Sequence, residues 1–240
     1  MEVSRITPHN IRWRSRWAWE FIRRSQLPKF KAPFWFQTDL GKFLCPDSFG
    51  PMQFRPGWEI ETRREVSKLR DGYFVDVGAN LGLYTVMAAK NGNRVLAIEA
   101  NPTVSYCLSQ TVRANGIGDR VHVMNVAAWS EHRELEFEST KDYSLGHVTE
   151  KDWNLDGRKV VCKETVEAFT LDELVRSKPS LVKIDIEGSE PEALMGASTI
   201  IRDRTRIIFE AVDKAACDRC RSLLQGYKIE YIGGVNYLAT

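Results

Sequence analysis

The sequence predicts an α/β fold built on a mostly parallel, doubly wound sheet with an antiparallel C-terminal edge strand. From Tyr73 onward apolar strands alternate with helical segments, which is typical of parallel sheets that carry helices on both faces. A glycine-containing turn at residues 78–82 links the first strand to the first helix of this pattern. Residues 227–240 read as two short strands around Gly233 and Gly234, so we expect them to add an antiparallel hairpin.

Two helices are predicted ahead of this core. In residues 10–25, Trp13, Trp17 and Phe21 recur every four residues and therefore share one helical face. The two prolines of the LPKFKAPF segment that follows end this helix. Residues 56–70 read as a second helix that leads into the first strand.

The core itself is expected to contain five strands and five helices. The strands are predicted at residues 73–77, 94–99, 121–126, 181–186 and 206–212. The helices are predicted near residues 81–90, 102–115, 171–176, 190–202 and 213–225. Asn101 before Pro102 marks a helix start, and TLDE (170–173) and SEPE (189–192) match the capping-box pattern. ELEFES and KVVCKETV add the short strands of a hairpin excursion.

Size and charge indicate one domain with a distinctive N-terminal segment. The chain has 240 residues, of which 43% are hydrophobic and 28% are charged, so it can bury a core without disulfide or metal support. Residues 1–35 carry eight Arg or Lys against two Glu, together with four of the seven Trp. We therefore expect a basic, Trp-rich extension at residues 1–49 and the functional domain at residues 50–240.

Cysteine usage and hydropathy favour a soluble, cytoplasmic protein. The five cysteines are an odd number without the spacing of a disulfide framework, which favours a reducing compartment. Cys217 and Cys220 are expected to be two helix-face thiols, with metal or redox use as the alternative. No apolar run approaches the ~20 residues of a membrane span, and the start lacks the apolar segment of a signal peptide.

The glycine turn indicates which nucleotide the domain binds. A dinucleotide fingerprint reads G-x-G-x-x-G, whereas this turn reads D-x-G-x-N-x-G, with Asp76, Gly78, Asn80 and Gly82. A carboxylate at the strand tip would repel a pyrophosphate, but it suits a ligand with ammonium and sulfonium groups. S-adenosylmethionine has both, and its carboxylate can face the amides at the start of the next helix. The turn therefore favours the methyl donor.

Two neighbouring strand tips complete the predicted donor site. Glu99 ends the second strand, where an acid can accept hydrogen bonds from both ribose hydroxyls. Dinucleotides carry the same diol, so Glu99 alone does not discriminate between the two ligands. At the third tip, Asn125 and Ala127 are expected to flank the adenine.

A second group of polar residues follows the fourth strand, in LVKIDIEGSEPEALMGA at residues 181–197. Alternation along the strand places Lys183, Asp185 and Glu187 on one side. An interior Lys and Asp are costly unless they are paired, so a structural ion pair is one interpretation and catalysis is the other. Glu210 lies at the equivalent tip of the fifth strand.

Four segments resemble the FkbM-type methyltransferases, a branch of the S-adenosylmethionine-dependent class with a Rossmann-like, class I methyltransferase fold. The segments are FVDVGANLGLYT, AIEANP, NVAAWSE and LVKIDIEGSEPEALMGA, and the resemblance covers roughly residues 50–240. Glu59 and Glu61, ahead of the first strand, also suit the family's acidic entry. Residues 1–49 lie outside the resemblance.

The resemblance implies an S-adenosylmethionine-dependent O-methyltransferase that acts on a hydroxyl of a glycan, glycolipid or natural product. It maps the donor contacts to the glycine turn, Glu99 and Asn125, and the catalytic region to Asp185 and Glu187. A base that accepts the hydroxyl proton can speed such a transfer by about 10²–10⁴-fold. We expect Asp185 to be this base and Glu187 to be the second candidate, with Lys183 holding the charges in place.

A divalent metal is the alternative use of these carboxylates. Asp185, Glu187 and Glu210 could each offer an oxygen, but charge pairing is the simpler expectation, and we predict no metal site. His122 and His147 are expected to be structural or surface residues, although His147 could border the acceptor.

Residues 5–35 leave three interpretations open. The Arg and Trp residues could lie on an anionic membrane surface, which would make the protein peripheral to the membrane. They could contact nucleic acid by phosphate pairing and base stacking, which we consider the weaker option. The simplest interpretation is that the aromatic stripe packs on the domain or on a partner subunit, and the oligomeric state stays open.

Two alternative functions follow from these options. An RNA ribose 2′-O-methyltransferase would use Lys183, Asp185 and Glu210 around the hydroxyl, but residues 36–240 carry a net charge of −4, so a groove that follows phosphates is not visible. A donor-binding sensor without catalysis would leave Asp185 and Glu187 without a task. Methyl transfer to a hydroxyl is therefore the main expectation.

Overall fold

The structure, a computed structural model, describes residues 33–47, 50–140, 146–149 and 160–240. The helix predicted at residues 10–25 and most of the basic segment lie outside the described residues. Within them, no helix has the length and apolar character needed to cross a bilayer.

The described residues form thirteen strands and seven α-helices. The strands are β1 (Phe34–Gln37), β2 (Lys42–Cys45), β3 (Tyr73–Val77), β4 (Arg94–Ile98), β5 (Val121–Met124), β6 (Ala127–Ala128), β7 (Arg133–Thr140), β8 (His147–Val148), β9 (Val160–Phe169), β10 (Leu181–Ile184), β11 (Ile207–Glu210), β12 (Ile229–Gly233) and β13 (Asn236–Ala239). The helices are α1 (Ile60–Ser67), α2 (Leu83–Lys90), α3 (Pro102–Ala114), α4 (Leu171–Leu174), α5 (Glu190–Met195), α6 (Ser198–Arg202) and α7 (Lys214–Leu223).

A seven-stranded sheet forms the centre of the fold, in the order β12-β13-β11-β10-β3-β4-β5. Strands β11, β10, β3, β4 and β5 are parallel, whereas β13 runs antiparallel to both β11 and β12. The mostly parallel sheet and its antiparallel C-terminal hairpin are therefore confirmed. The strand order reverses between β3 and β10, and ligands of such sheets bind at the carboxyl ends of the strands near that point.

Side chains of the central sheet alternate between two hydrophobic layers. On β3, Phe74 packs with the layer beneath α1, α2 and α3, and Val75 packs with the layer beneath α4 to α7. The unbroken apolar runs of the sequence reflect this burial on both faces. Each fully buried apolar side chain contributes about 2 kcal/mol of transfer free energy to folding. The two layers therefore stabilise the sheet that carries the strand tips.

The predicted hairpin excursion is a second, four-stranded sheet in the order β6-β9-β7-β8. Strands β7 and β9 pair antiparallel along most of their length. Trp129, Phe137 and Val148 are buried in the core of this sheet. This sheet is therefore separate from the central sheet and has a hydrophobic core of its own.

Two of the predicted helix starts have the side-chain hydrogen bonds that the sequence indicated. The Asn101 side chain accepts hydrogen bonds from the amides of Thr103 (3.0 Å) and Val104 (3.2 Å), and Thr170 forms the predicted capping box with Glu173. These two predictions are confirmed.

The predicted capping box at SEPE is wrong. Ser189 makes no side-chain hydrogen bond to the helix, because its backbone (φ −96°, ψ 11°) is not in the extended conformation of a capping residue. The predicted helix over 190–202 is also divided into α5 and α6. At the division, a Cβ on Gly196 would lie 2.2 Å from the carbonyl oxygen of Trp129, so the second sheet packs too closely there for a side chain.

Strands β1 and β2 lie within the predicted extension, yet they pack on the domain. The amide of Leu44 donates to Thr111 Oγ1 on α3 at 3.0 Å, and Phe36 packs in a buried cluster with Val104. Cys217 and Cys220 are buried thiols of α7, as expected for helix-face cysteines.

Candidate active site

A cavity of about 490 Å³ opens at the carboxyl ends of β3, β4 and β10, where the strand order reverses. The glycine turn forms one wall and the four-stranded sheet forms another, and the volume is typical of small-molecule sites. The predicted site residues that line the cavity are Gly78, Asn80, Glu99, Ala127, Lys183, Asp185 and Glu187.

The glycine turn is held against both neighbouring strands. The amides of Gly78 and Ala79 donate to the carbonyl oxygen of Ile98 at the end of β4 (2.9 and 3.0 Å). Gly78 has a φ of +74°, and a Cβ there would lie 1.8 Å from the carbonyl oxygen of Asp185. Only glycine allows this approach, so the turn and the loop after β10 form one rigid rim.

Glu99 is placed to accept hydrogen bonds from a ligand diol. Its carboxylate is 8% exposed and accepts the amides of Asn80 (2.8 Å) and Asn101 (2.9 Å), one on each oxygen. Each oxygen keeps a further acceptor position, which matches a pair of ribose hydroxyls. Burial raises the pKa of Glu99 to about 7, although the two amides oppose this effect. The residue therefore ionises near neutral pH.

Asp76 does not line the cavity. It is the penultimate residue of β3, it has no exposed surface, and it pairs in register with Lys183 of β10. Its Oδ2 accepts a hydrogen bond from Thr85 Oγ1 at 2.7 Å, and its Oδ1 is buried without a hydrogen-bond partner among the described residues. Burial raises the pKa of Asp76, and the Lys183 ammonium works against it. Direct contact between Asp76 and a donor stays a prediction.

Asn125 and Gly82 also stand behind the cavity surface. Asn125 Nδ2 donates to the carbonyl oxygens of Glu99 (2.8 Å) and Ala100 (2.9 Å), so it fixes the chain after β4. Gly82 precedes α2 with a φ of +90°, and a Cβ there would meet the Leu108 side chain at 2.5 Å. Both residues shape the site through the backbone, and their contacts with a ligand stay predictions.

Lys183 and Asp185 form the ion pair that one interpretation of the sequence predicted. Lys183 is 2% exposed, and its Nζ lies 2.7 Å from Asp185 Oδ2 and 5.0 Å from the centre of the Tyr84 ring. Burial disfavours the ammonium, but the surrounding carboxylates, Asp185 foremost, raise its pKa. Burial likewise opposes ionisation of Asp185, but Lys183 outweighs it and lowers the pKa. Asp185 keeps 23% of its side chain exposed, so the pair does not exclude catalysis.

The two acids predicted at the entry have different places. Glu59 immediately precedes α1 in a left-handed conformation (φ 43°), lines the cavity, and accepts a hydrogen bond from the hydroxyl of Tyr84. Burial and the nearby Asp185 raise the pKa of Glu59. Glu61 points away and pairs with Arg64 on the surface. Glu59 therefore belongs to the site and Glu61 does not.

Three carboxyl groups meet at the tips of β10 and β11. Asp185, Glu187 and Glu210 each offer an oxygen within 4.8 Å of the others. Burial, followed by the charge of Asp185, raises the pKa of Glu210 to about 11. Such a cluster either shares protons or holds a cation. The prediction that these three residues lie together is correct, but the sequence does not decide between the two uses.

One side of the cavity is formed partly by the second sheet. His147 is 3% exposed and lines the cavity, and its Nε2 lies 3.7 Å from Glu138 Oε2. His122 is exposed on β5 and does not line the cavity. Of the two histidines, only His147 borders the site.

Two residues near the site were not predicted. Tyr84 packs its ring against Lys183, and Glu190, which is 1% exposed, accepts the amides of Ile186 (2.9 Å) and Gly188 (3.2 Å). Burial raises the pKa of Glu190 to about 7. The capping-box pattern drew attention to Ser189 and Glu192, whereas the residue that binds the loop amides is Glu190, which lies between them.

Three comparisons relate the chain to known proteins. Residues 76–229 match the family described as Methyltransferase FkbM domain. Hexuronic acid methyltransferase AglP from Haloferax volcanii is 28% identical over 146 residues, which are 58% of this chain and 56% of that protein. The crystal structure of Methyltransferase FkbM from Methylobacillus flagellatus KT is 19% identical with a TM-score of 0.52, over 72% of this chain and 44% of that one. The chain thus spans about half the length of these relatives, and the structural likeness concerns the fold.

Proposed function

This chain belongs to the FkbM methyltransferase family, and we propose that it methylates a hydroxyl group of a glycan, glycolipid or natural-product acceptor. Like other methyltransferases of this family, it is an enzyme that depends on S-adenosylmethionine. The observation that carries the proposal is one cavity lined by both Glu99, a carboxylate suited to a diol, and Asp185, an ionised carboxylate suited to a proton. The relative that is named a hexuronic acid methyltransferase supports a sugar acceptor.

The residues that line the cavity fit the donor. When bound, S-adenosylmethionine supplies an electrophilic methyl group on a positively charged sulfur. Glu99 is proposed to accept the ribose hydroxyls, and Ala127 is proposed to border the adenine. The carboxylate of Glu59 suits the positive charges of the donor, because it lines the cavity with the turn that contains Gly78.

Asp185 is the proposed base. Lys183 keeps it ionised, and its exposed fraction leaves acceptor positions for the proton of the substrate hydroxyl. The rigid rim formed with Gly78 fixes this carboxylate relative to the turn, and alignment of reacting atoms at about 3–3.5 Å is a large part of such catalysis. Glu187, two residues further along the same loop, is the second candidate.

Transfer of a labelled methyl group to a panel of acceptors tests the proposal. The panel contains neutral glycans, glycolipid extracts, polyketides and an RNA transcript, and mild alkali separates a methyl ether, which survives, from a methyl ester. Asp185→Asn should lower kcat by about 10²–10⁴-fold while the affinity for S-adenosylhomocysteine changes little. Asp119→Asn, an exposed acid, is the matched control.

Three outcomes would contradict the proposal. A collapse of S-adenosylhomocysteine affinity in Asp185→Asn would make Asp185 a binding or structural residue. Methylation of the RNA transcript alone would replace the proposal with ribose 2′-O-methylation. An alkali-labile product would identify a carboxyl acceptor in place of a hydroxyl.

A further inference from the structure

We infer that Glu210 acts as a neutral hydrogen-bond donor that positions the carboxylate of Asp185. The inference rests on the proposed function, in which Asp185 is the base. Glu210 would then be a positioning residue, because it acts on the substrate through Asp185.

The two carboxyl groups follow neighbouring strands. Glu210 is the last residue of β11, and Asp185 directly follows β10, with Ile184 and Phe209 paired just before them. Each offers an oxygen to a cluster whose members lie within 4.8 Å of one another, a hydrogen bond between the two groups shifts both pKa values, and both line the cavity. The contact is therefore part of the site. The buried strands β10 and β11 shield it from solvent on the side of the sheet.

A contact between two carboxyl groups requires a proton. Two ionised carboxylates only accept hydrogen bonds and repel each other, so one of the pair must hold a proton. Lys183 lies 2.7 Å from Asp185 and stabilises its negative charge. Asp185 is thus the ionised partner and Glu210 is the protonated one.

The surroundings of Glu210 support this assignment. The charged groups that act on it most strongly are Asp185 and Glu187 in the loop after β10 and Glu190 in α5, all of them acids, while the Lys183 ammonium is paired with Asp185. On the other side, β13 places Asn236 opposite Glu210. Glu210 Oε2 is buried and meets no hydrogen-bond donor among the described residues. Burial and these acids raise the pKa of Glu210 to about 11.

A neutral Glu210 gives Asp185 two fixed partners. The ammonium of Lys183 holds one side of the carboxylate and the Glu210 hydroxyl holds another, and a carboxylate still has acceptor positions left for a substrate proton. A divalent cation in the same cluster would instead need an ionised Glu210. The charge state of Glu210 therefore distinguishes a proton-sharing site from a metal site.

Two substitutions separate these possibilities in kinetic assays. Glu210→Gln keeps a neutral donor of similar shape, so we expect kcat within about threefold of wild type and an unchanged pH profile. Glu210→Ala removes the donor, so kcat should fall about tenfold or more, and the acidic limb of kcat, measured with saturating S-adenosylmethionine so that Glu99 stays ionised, should move up by about one pH unit. Equal loss in both variants, or no effect of Glu210→Ala, would overturn the inference.

A spectroscopic readout keeps the test independent of turnover. An infrared difference spectrum of wild type minus Glu210→Gln, near neutral pH, should contain the carbonyl band of a protonated carboxylic acid. Its absence, or its loss when Mg²⁺ alone is added, would overturn the inference, the latter in favour of a metal site. If the band is present but no acceptor is methylated, the proposed function fails while the charge state of Glu210 stands.

Discussion

The affinity for S-adenosylhomocysteine should weaken as Glu99 takes up a proton. Burial raises the pKa of Glu99 to about 7 in the free protein, and ribose hydroxyls that donate to its oxygens favour the ionised form. At pH 5.5, about 3% of Glu99 is ionised, so Kd should be about 30-fold higher than its limit at high pH. This ratio corresponds to about 2 kcal/mol of binding free energy.

Calorimetric titrations from about pH 5.5 to 8.5 measure the effect. In wild type, log Kd should rise by about one unit per pH unit below the pKa, and binding near pH 6.5 should release a proton, which titrations in buffers of different ionisation enthalpy detect. Glu99→Gln should bind weakly at every pH and lose the dependence. Glu131→Gln, at an exposed acid, is the matched control.

Two results would refute the reasoning about Glu99. A wild-type affinity that is constant across this range would mean that Glu99 does not change its charge on binding. A pH dependence that persists in Glu99→Gln would assign the proton to another group, of which Glu190 is the first to examine because its pKa is also about 7.

Three further substitutions probe the ion pair, the turn and the loop after β10. Lys183→Met removes the buried partner of Asp185, so the free energy of unfolding should fall by about 3–5 kcal/mol at pH 8. The loss should be smaller at pH 5, where the acids can take up protons. Urea titrations at both pH values measure the two losses, and equal losses would contradict the prediction. Gly78→Ala would place a Cβ 1.8 Å from the Asp185 carbonyl oxygen, so it should lose both stability and donor affinity. The control is Gly116→Ala, which also has a positive φ but meets nothing within 4 Å and should cost about 1 kcal/mol of stability. Similar losses of stability in the two variants, measured by thermal melting, would refute the packing argument. Because the pKa of Glu190 is raised above its ordinary 4.5 to about 7, the unfolding free energy should be full at low pH and decline by up to about 3 kcal/mol as pH rises from about 4.5 to 7. The decline should be smaller in Glu190→Gln, and parallel curves would count against this role.

The fold could be predicted because its signals are local and repeated. Strands buried on both faces appear as apolar runs, and helix starts such as Asn101 and Thr170 satisfy amides within three residues of themselves. The predicted strand at 73–77 matches β3, whereas the other four predicted strands ended one or two residues too late. At β10, for example, the strand ends at Ile184 because Glu190 binds the amides of Ile186 and Gly188 and draws the chain into a loop.

The site could be predicted only to the level of strand tips. Parallel strands bring their carboxyl ends together, so Glu99, Asp185 and Glu210 were placed correctly in one region. Which side chains face the cavity depends on partners that are distant in sequence. Asn125 turns to the backbone after β4, and Asp76 lies beside Lys183, 107 residues later, through strand pairing that no local pattern encodes.

The buried position of Asp76 changes how the donor turn and the catalytic loop relate to each other. The sequence pattern suggested that Asp76 serves the donor, and the structure places it beside Lys183 in the sheet, where Lys183 forms its ion pair with Asp185. The Lys183 ammonium pairs with the proposed base and its charge also lowers the pKa of Asp76, while Gly78 packs the turn against the backbone carbonyl of that same base. A buried charge cluster of this kind contributes little net stability compared with apolar packing. Its value lies in fixing protonation states and positions, because removing any one charge changes which of the remaining acids holds a proton.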